Sequence, residues 1–252
     1  MMASHGSSSA SPAGAVPRLE VAADAAGAAR KAAAFIAERI REASTQGRRF
    51  VLGLSGGETP RRMFRELSEQ DVSWADVHLA QVDERLAPMG PERNLAMLQE
   101  GLIEHVGLPA ENVHAMPVET DDPVAAARRY GEEMRIVSGT PLVLDLVHLG
   151  LGTDGHTASL VPDDPVLKVQ DKDVAVTAAY NGLRRMTLTL PVINRSRCVV
   201  WLVTGTGKAA MLRRLLDGDR SLPAGRVARG RAVIFADRAA AQQVSGALRY
   251  PA

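Results

Sequence analysis

The 252-residue sequence predicts an α/β fold, a single three-layer, doubly wound domain built around a mostly parallel sheet. Three observations carry that expectation. Short apolar runs alternate with helix-patterned segments of about 10 to 15 residues, the order that covers a parallel sheet on both faces. Polar clusters containing glycine follow several of those runs directly, as they do where parallel strands deliver binding loops to their carboxyl ends. Composition agrees, because 46% hydrophobic residues can build a core without disulfide or metal staples.

Residues 1 to 17 are small, polar and turn-forming, and they read as a flexible, disordered tail before a catalytic domain over 18–252. After Asp24 an Ala-rich segment with Phe35, Ile36 and Ile40 predicts a helix ending near Gly47, followed by a strand over 50–54. Thr59 as N-cap and Pro60 as first helical residue open a helix to about Glu69. A strand is expected over 77–82, then helices over 92–105 and 122–137. A buried strand over 142–149 follows, with Leu142, Leu144, Leu146 and His148 on one face. Strands over 174–178, 186–190 and 198–203, a helix over 207–216, a strand over 233–236 and a helix over 238–248 complete the alternation. Four polar clusters should therefore meet at one sheet edge: Ser55 to Gly57, Asp83 to Arg85, Asp154 to His156, and Gly205 to Lys208.

Three of these clusters match motifs of other chemistries, and each match has a flaw. Gly53, Ser55 and Gly57 fit the Gly-x-Ser-x-Gly elbow of serine hydrolases, yet Glu58 and Thr59 separate the turn from its helix. A glycine turn whose N–H groups cradle a phosphate is the better reading. Gly150, Gly152 and Gly155 fit the dinucleotide fingerprint, but Pro162 cuts short the helix that fingerprint needs, and Asp154 would face the pyrophosphate. Gly205 to Lys208 resembles a Walker loop, but Leu202 stands where its first Gly belongs and Ala209 replaces the Mg²⁺-binding hydroxyl.

His156, flanked by Asp154 and Gly155, is the candidate general base, because imidazole accepts a proton near neutral pH and a carboxylate can fix its tautomer. His148 reads as a core or supporting residue, and His78 carries no role. Arg85 and Lys208 beside a glycine cradle suit a phosphate dianion, with a planar fork and a point charge respectively. Asp83 among them would bind hydroxyls, position water or pair with Arg85. No His or Cys grouping has metal-ligand spacing, so no metal is expected.

Thirty basic and 29 acidic residues leave a net charge of +1, which offers no bulk attraction to nucleic acid or anionic membrane. The lone Cys198 lies in an apolar run and reads as structural. With no long apolar span, a cytoplasmic location is expected.

The motifs also resemble the 6-phosphogluconolactonase family. They are Leu-Gly-Leu-Ser55-Gly-Gly-Glu-Thr-Pro60, Val82-Asp-Glu-Arg85 with Pro88, and the block from Leu149 to Pro162 that contains Asp154, Gly155 and His156. Arg185 to Pro191 with Asn194, then Lys208, and Leu222 to Ala224 continue the likeness in order, over about residues 20 to 248. The related sugar-phosphate isomerase/deaminase branch shares the glycine turn, the Asp-Gly-His element and a similar fold, and it stands as the alternative. There the histidine block usually continues Ile-Ala-Phe-Asn-Glu, whereas here it reads Thr157-Ala-Ser-Leu-Val161, without the acidic residue. That branch also usually has Tyr where Arg85 stands. Glu58 and Arg93 depart from the hydroxyl residues usual at their positions in the lactonases.

The resemblance implies hydrolysis of 6-phospho-D-glucono-1,5-lactone to 6-phospho-D-gluconate in the oxidative pentose phosphate pathway, by general-base activation of water and without cofactor. It implies catalytic roles for His156, Asp154 and Asp83, and substrate binding by Ser55, Gly56, Gly57, Arg85, Gly155, Arg185 and Lys208. Spacing leaves Arg184 as an alternative to Arg185. A monomer or weak homo-oligomer is expected, with a small phosphorylated lactone as the partner.

Overall fold

Strands buried on both faces need apolar side chains at consecutive positions, and the central strands of this chain have them. The computed structural model describes residues 16–244. Strand β1 (Arg18–Ala22) leads into helix α1 (Ala25–Thr45), whose N-cap Asp24 accepts a 2.7 Å bond from the Gly27 N–H. There follow β2 (Phe50–Leu54), α2 (Arg61–Ser68), β3 (Val77–Gln81), β4 (Asp83–Arg85), α3 (Asn94–Gly101), β5 (Val113–His114) and α4 (Pro123–Ser138). The second half adds β6 (Leu146–Leu149), β7 (Val174–Val176), β8 (Arg185–Leu188), α5 (Leu190–Arg195), β9 (Val199–Val203), α6 (Ala209–Asp217), β10 (Ala232–Asp237) and α7 (Arg238–Ala241).

Seven strands form a parallel sheet in the order β1-β10-β9-β6-β2-β3-β5. The chain runs outward from β2 through β3 to β5, then returns to place β6 on the other side of β2. The switch point therefore lies between β2 and β6, where ligands bind in such sheets. Alternate residues enter two separate cores. Val199, Trp201 and Val203 join one, while Val200 and Leu202 join the other with Phe64 and the alanines of α1.

Several elements depart from the sequence expectation. Strands over 174–178 and 186–190 were expected in the main sheet; instead β7 and β8 pair with β4 as a separate antiparallel sheet, β4-β8-β7. Residues 142–145 lie outside β6. There the Asp145 carboxylate, not a strand carbonyl, accepts the Val51 N–H at 2.9 Å, so Leu142 and Leu144 pack in the core opposite to the one that takes Leu146. Thr59 does not cap α2, which starts at Arg61 after Pro60 with no side-chain cap. Strands β1, β4 and β5 and helix α5 gave no sequence signal strong enough to be read. The expected tail over 1–17 lies outside the described residues except for Val16 and Pro17, and the expected closing helix is described only through Ala241, with 245–248 beyond the described residues.

Helix α3 begins at Asn94, not at residue 92, because its cap comes from another element. Glu84 of β4 is fully buried and accepts N–H bonds from Arg85 at 2.7 Å, Asn94 at 3.1 Å and Leu95 at 2.9 Å, plus one from the Gln81 amide at 3.0 Å. Arg93, itself buried, sets its Nε 3.0 Å from the same carboxylate. A buried carboxylate so satisfied is costly to lose. Glu84→Gln is expected to lower stability by roughly 3 kcal/mol, read as a lower urea midpoint at unchanged slope; an unshifted midpoint would contradict this account.

Candidate active site

The loops that leave β2, β3, β6 and β9 enclose a cleft of about 330 Å³ at the carboxyl edge of the sheet. Its wall includes Ser55, Gly56, Gly57, Asp83, Arg85, His156, Arg185 and Lys208, with Asn94, Thr59, Gly152 and Thr153. All four expected clusters therefore meet. Asp154 and Gly155 do not line the cleft but support it from behind.

The loop after β6 is folded around the absence of a side chain at Gly152. A Cβ there would overlap His156 Nδ1 and Asp154 Oδ1. The Gly152 N–H donates to the His156 carbonyl at 2.8 Å, and Gly155 turns at φ +84, where its carbonyl accepts from Ala224 N–H at 3.1 Å. A Cβ on Gly155 would lie 2.6 Å from Leu222 Cδ2, so the segment from Leu222 to Ala224 is packed against this turn. The result is a fixed pair: His156 Nδ1 lies 2.6 Å from Asp154 Oδ1. Since a carboxylate only accepts, Nδ1 carries the proton, and in the neutral ring the lone pair is on Nε2. Partial burial alone would raise the Asp154 carboxyl. The His156 backbone N–H at 3.1 Å, the His156 ring and the Tyr180 hydroxyl outweigh burial and hold it below the usual carboxylate range.

Asp83 is held as tightly. Its Oδ1 accepts from the Ser55 hydroxyl at 2.8 Å and its Oδ2 from the Ser159 hydroxyl at 2.7 Å, while Asn94 donates its amide to the Asp83 carbonyl at 2.8 Å. Asp83 makes no salt bridge with Arg85. Because the Ser55 proton is committed to Asp83, Ser55 can offer an anion only its backbone. The Gly57 N–H, at φ +117, meets just the Met97 sulfur at 3.4 Å, a weak acceptor that an anion would displace. Gly56 is required by packing, since a Cβ would overlap the Asn94 side chain.

The cations converge without partners. Arg85 and Arg185 face each other across the β4–β8 pair, an unfavourable like-charge juxtaposition unless an anion bridges them. Among the described residues neither these two nor Lys208 forms a salt bridge with any carboxylate. Burial lowers Lys208 from its ordinary value, opposed by the charge of Asp154. Lys208 is presented by a turn that starts at Gly205, whose N–H donates to both oxygens of Asp237 at 3.0 Å. Of the two adjacent arginines, Arg185 lines the cleft; Arg184 points its Nε to the Thr177 carbonyl at 3.3 Å and stays outside.

Arg93, a departure in the sequence, is absorbed by Glu84, Glu119 and the Ala87 carbonyl, and Asn94 beside it reaches the cleft. Burial lowers His148 to about 4, against a small opposing effect of the Ser55 backbone. Its ring packs edge-on against Phe64 and neither nitrogen has a well-aligned hydrogen-bond partner, so it is a neutral core residue. Burial likewise pushes the Cys198 thiol up to about 11. Tyr180, Ser159 and Asn94 were not singled out as site residues from sequence, because their roles depend on contacts across distant segments. Among the described residues, no group of three His, Cys, Asp or Glu side chains could hold a metal ion, and no helix is long and apolar enough to cross a membrane.

The family model described as glucosamine-6-phosphate isomerases/6-phosphogluconolactonase matches residues 23–235. The 6-phosphogluconolactonase of Synechocystis is 36% identical over 183 residues, 71% of this chain and 76% of that one. The human 6-phosphogluconolactonase is 37% identical over 209 residues, 77% of this chain and 80% of that one. The crystal structure of 6-phosphogluconolactonase from Thermotoga maritima superposes with a TM-score of 0.78 at 27% identity, covering 87% of this chain and 99% of that one.

The packing at Gly152 has a direct test. Gly152→Ala should remain folded yet lose the His156–Asp154 bond, seen as disappearance of the downfield imidazole Nδ1–H proton resonance. Persistence of that resonance would show that the loop can absorb a methyl group.

Proposed function

The chain belongs to the glucosamine-6-phosphate isomerase/6-phosphogluconolactonase family, and on that premise we propose that His156 is the base and the unpaired cations the phosphate site of its reaction. The activity is that of a 6-phosphogluconolactonase: hydrolysis of 6-phospho-D-glucono-1,5-lactone to 6-phospho-D-gluconate in the pentose phosphate pathway. One observation carries the reading of the site. A histidine with Nδ1 bound to a carboxylate shares a cleft with three cations that, among the described residues, form no salt bridge.

Arg85, Arg185, Lys208 and the Gly57 N–H receive the 6-phosphate, which supplies the missing negative charge and fixes one end of the substrate. Binding energy from this remote group then orients the lactone carbonyl near His156. Nε2 takes a proton from water as the water oxygen bonds to the carbonyl carbon, leaving a tetrahedral oxyanion. Collapse of that intermediate breaks the bond to the ring oxygen, which receives the proton back from the imidazolium. The product is the open-chain hydroxy acid, and one water is consumed. Asp154 keeps the imidazole in the productive tautomer and balances its transient charge. Asp83, with both oxygens already engaged but facing the cleft, orients sugar hydroxyls or the attacking water. Gly155 shapes the loop rather than touching substrate.

In this reading residues 18–252 act as one catalytic unit, a monomer or weak homo-oligomer without nucleic-acid or membrane partners. A cytoplasmic location accords with the single, half-buried thiol and the balanced charge.

The test generates the lactone in situ and follows its decay above the spontaneous rate. His156→Ala should lower kcat by about 10²- to 10⁴-fold with KM little changed, whereas Lys208→Ala should act mainly on KM. Equal decay with wild type and His156→Ala would refute the mechanism. Ammonia release from glucosamine 6-phosphate would instead favour the isomerase/deaminase chemistry of the family.

A further inference from the structure

Between β7 and β8 the chain reverses in a two-residue turn. Asn181 and Gly182 both adopt positive φ, +52 and +79, the pattern of a type I′ hairpin whose twist suits flanking strands. Tyr180 and Leu183 close it with reciprocal backbone bonds of 2.9 and 3.3 Å. This turn holds Tyr180 against His156, Asp154 and Arg185, where it makes three contacts at once. Its hydroxyl donates to Asp154 Oδ2 at 3.0 Å, the oxygen that His156 does not use. Its ring meets the His156 ring edge-on, with centroids 5.8 Å apart at 64°. The Arg185 guanidinium carbon lies 5.3 Å from the ring centroid. Arg185 Nε is buried without a hydrogen-bond partner, so the aromatic ring, not a hydrogen bond at Nε, steadies that guanidinium.

We propose that Tyr180 is a positioning residue that ties the phosphate-binding Arg185 to the catalytic His156–Asp154 pair, holding both in register for the lactone. The inference rests on the assignment of His156 as base. One side chain performs two separable tasks. The hydroxyl occupies Oδ2 and so aims Oδ1 at Nδ1, while the ring is a platform that presents Arg185 to the phosphate. A phosphate drawn to Arg185 is thereby placed at a fixed distance from the base, the geometric requirement for converting remote binding into rate.

Two variants separate the tasks. Tyr180→Phe keeps the ring and loses the hydroxyl. Loss of a hydrogen bond to a charged group predicts about a tenfold fall in kcat with KM within about twofold of wild type. Removing the donor also concentrates negative charge on the Asp154 oxygen facing His156, favouring imidazolium. The acidic limb of the kcat/KM profile should therefore move to higher pH. Tyr180→Leu removes the ring as well and should add a several-fold rise in KM and weaker binding of 6-phospho-D-gluconate by calorimetry. Thermal unfolding of both variants reports that the fold is intact; Tyr180 is half-buried on a hairpin, so little change is expected. If Tyr180→Phe matches wild type in kcat and in pH profile while His156→Ala is inactive, the inference falls and the base assignment stands. If His156→Ala is itself fully active, the base assignment falls first.

Discussion

The buried carboxylate of Glu84 is the constraint on which the site depends. In a strand, successive side chains face opposite ways, so three residues of β4 serve three purposes. Asp83 and Arg85 point toward the cleft while Glu84 points away, into a pocket where four hydrogen-bond donors and the charge of Arg93 converge on it. Glu84 thus fastens the start of α3, and with it Asn94, to the same strand that carries Asp83 and Arg85. It also anchors the junction of the two sheets. Val82 just before it donates to Leu54 of the parallel sheet at 3.0 Å and accepts from Leu188 of the antiparallel one at 2.8 Å. Moving this junction would shift Arg85 against Arg185 and Asp83 against Ser55 together.

That junction explains how an almost neutral chain concentrates positive charge. The net charge of +1 is the balance of 30 basic and 29 acidic residues, and many surface arginines have carboxylate neighbours, as Arg61 has Glu58 and Glu100, and Arg213 has Asp217. The antiparallel register of β4 and β8 instead aligns Arg85 with Arg185, and the turn after β9 adds Lys208. The carboxylates in and beside the cleft are spoken for: Glu58 by Arg61, Asp83 by two serine hydroxyls, Asp154 by His156 and Tyr180. Cations gathered without salt bridges in a partly enclosed cleft repel one another, and an anion of the kind proposed would relieve that repulsion.

What the sequence made legible was local. The glycine turns and the strands that precede them follow from backbone freedom and apolar runs, so the meeting of Ser55, Asp83, His156 and Lys208 at one edge could be expected before any coordinates. The choice between Arg184 and Arg185 could not, because it depends on which face of the β4–β8 pair is turned toward the cleft. The antiparallel sheet was illegible for the same reason. Short apolar segments such as Val174 to Val176 look alike whichever partner they find. Tyr180 left no trace at all, since its three partners lie at sequence positions 154, 156 and 185 and only the Asn181-Gly182 turn brings it to them. The strand expected over 142–149 begins only at Leu146, because Asp145 takes with its side chain a hydrogen bond that a strand backbone would have made.

The serine within the Gly-x-Ser-x-Gly match shows why geometry must decide between look-alike motifs. A nucleophilic serine needs an imidazole at its hydroxyl to take the proton. The Ser55 hydroxyl donates its hydrogen bond to Asp83 at 2.8 Å, and a carboxylate is by about two to three pKa units a weaker base than imidazole. The nearest alternative, His148, sits behind Ser55 in the core, held neutral by burial and facing Phe64. The one imidazole in the cleft, His156, is bound to Asp154. The hydroxyl is thus spent on orienting Asp83, and the free lone pair belongs to His156. The same residues that would form a triad in sequence are therefore arranged with the serine serving the carboxylate rather than the reverse, as the proposed direct attack by water requires.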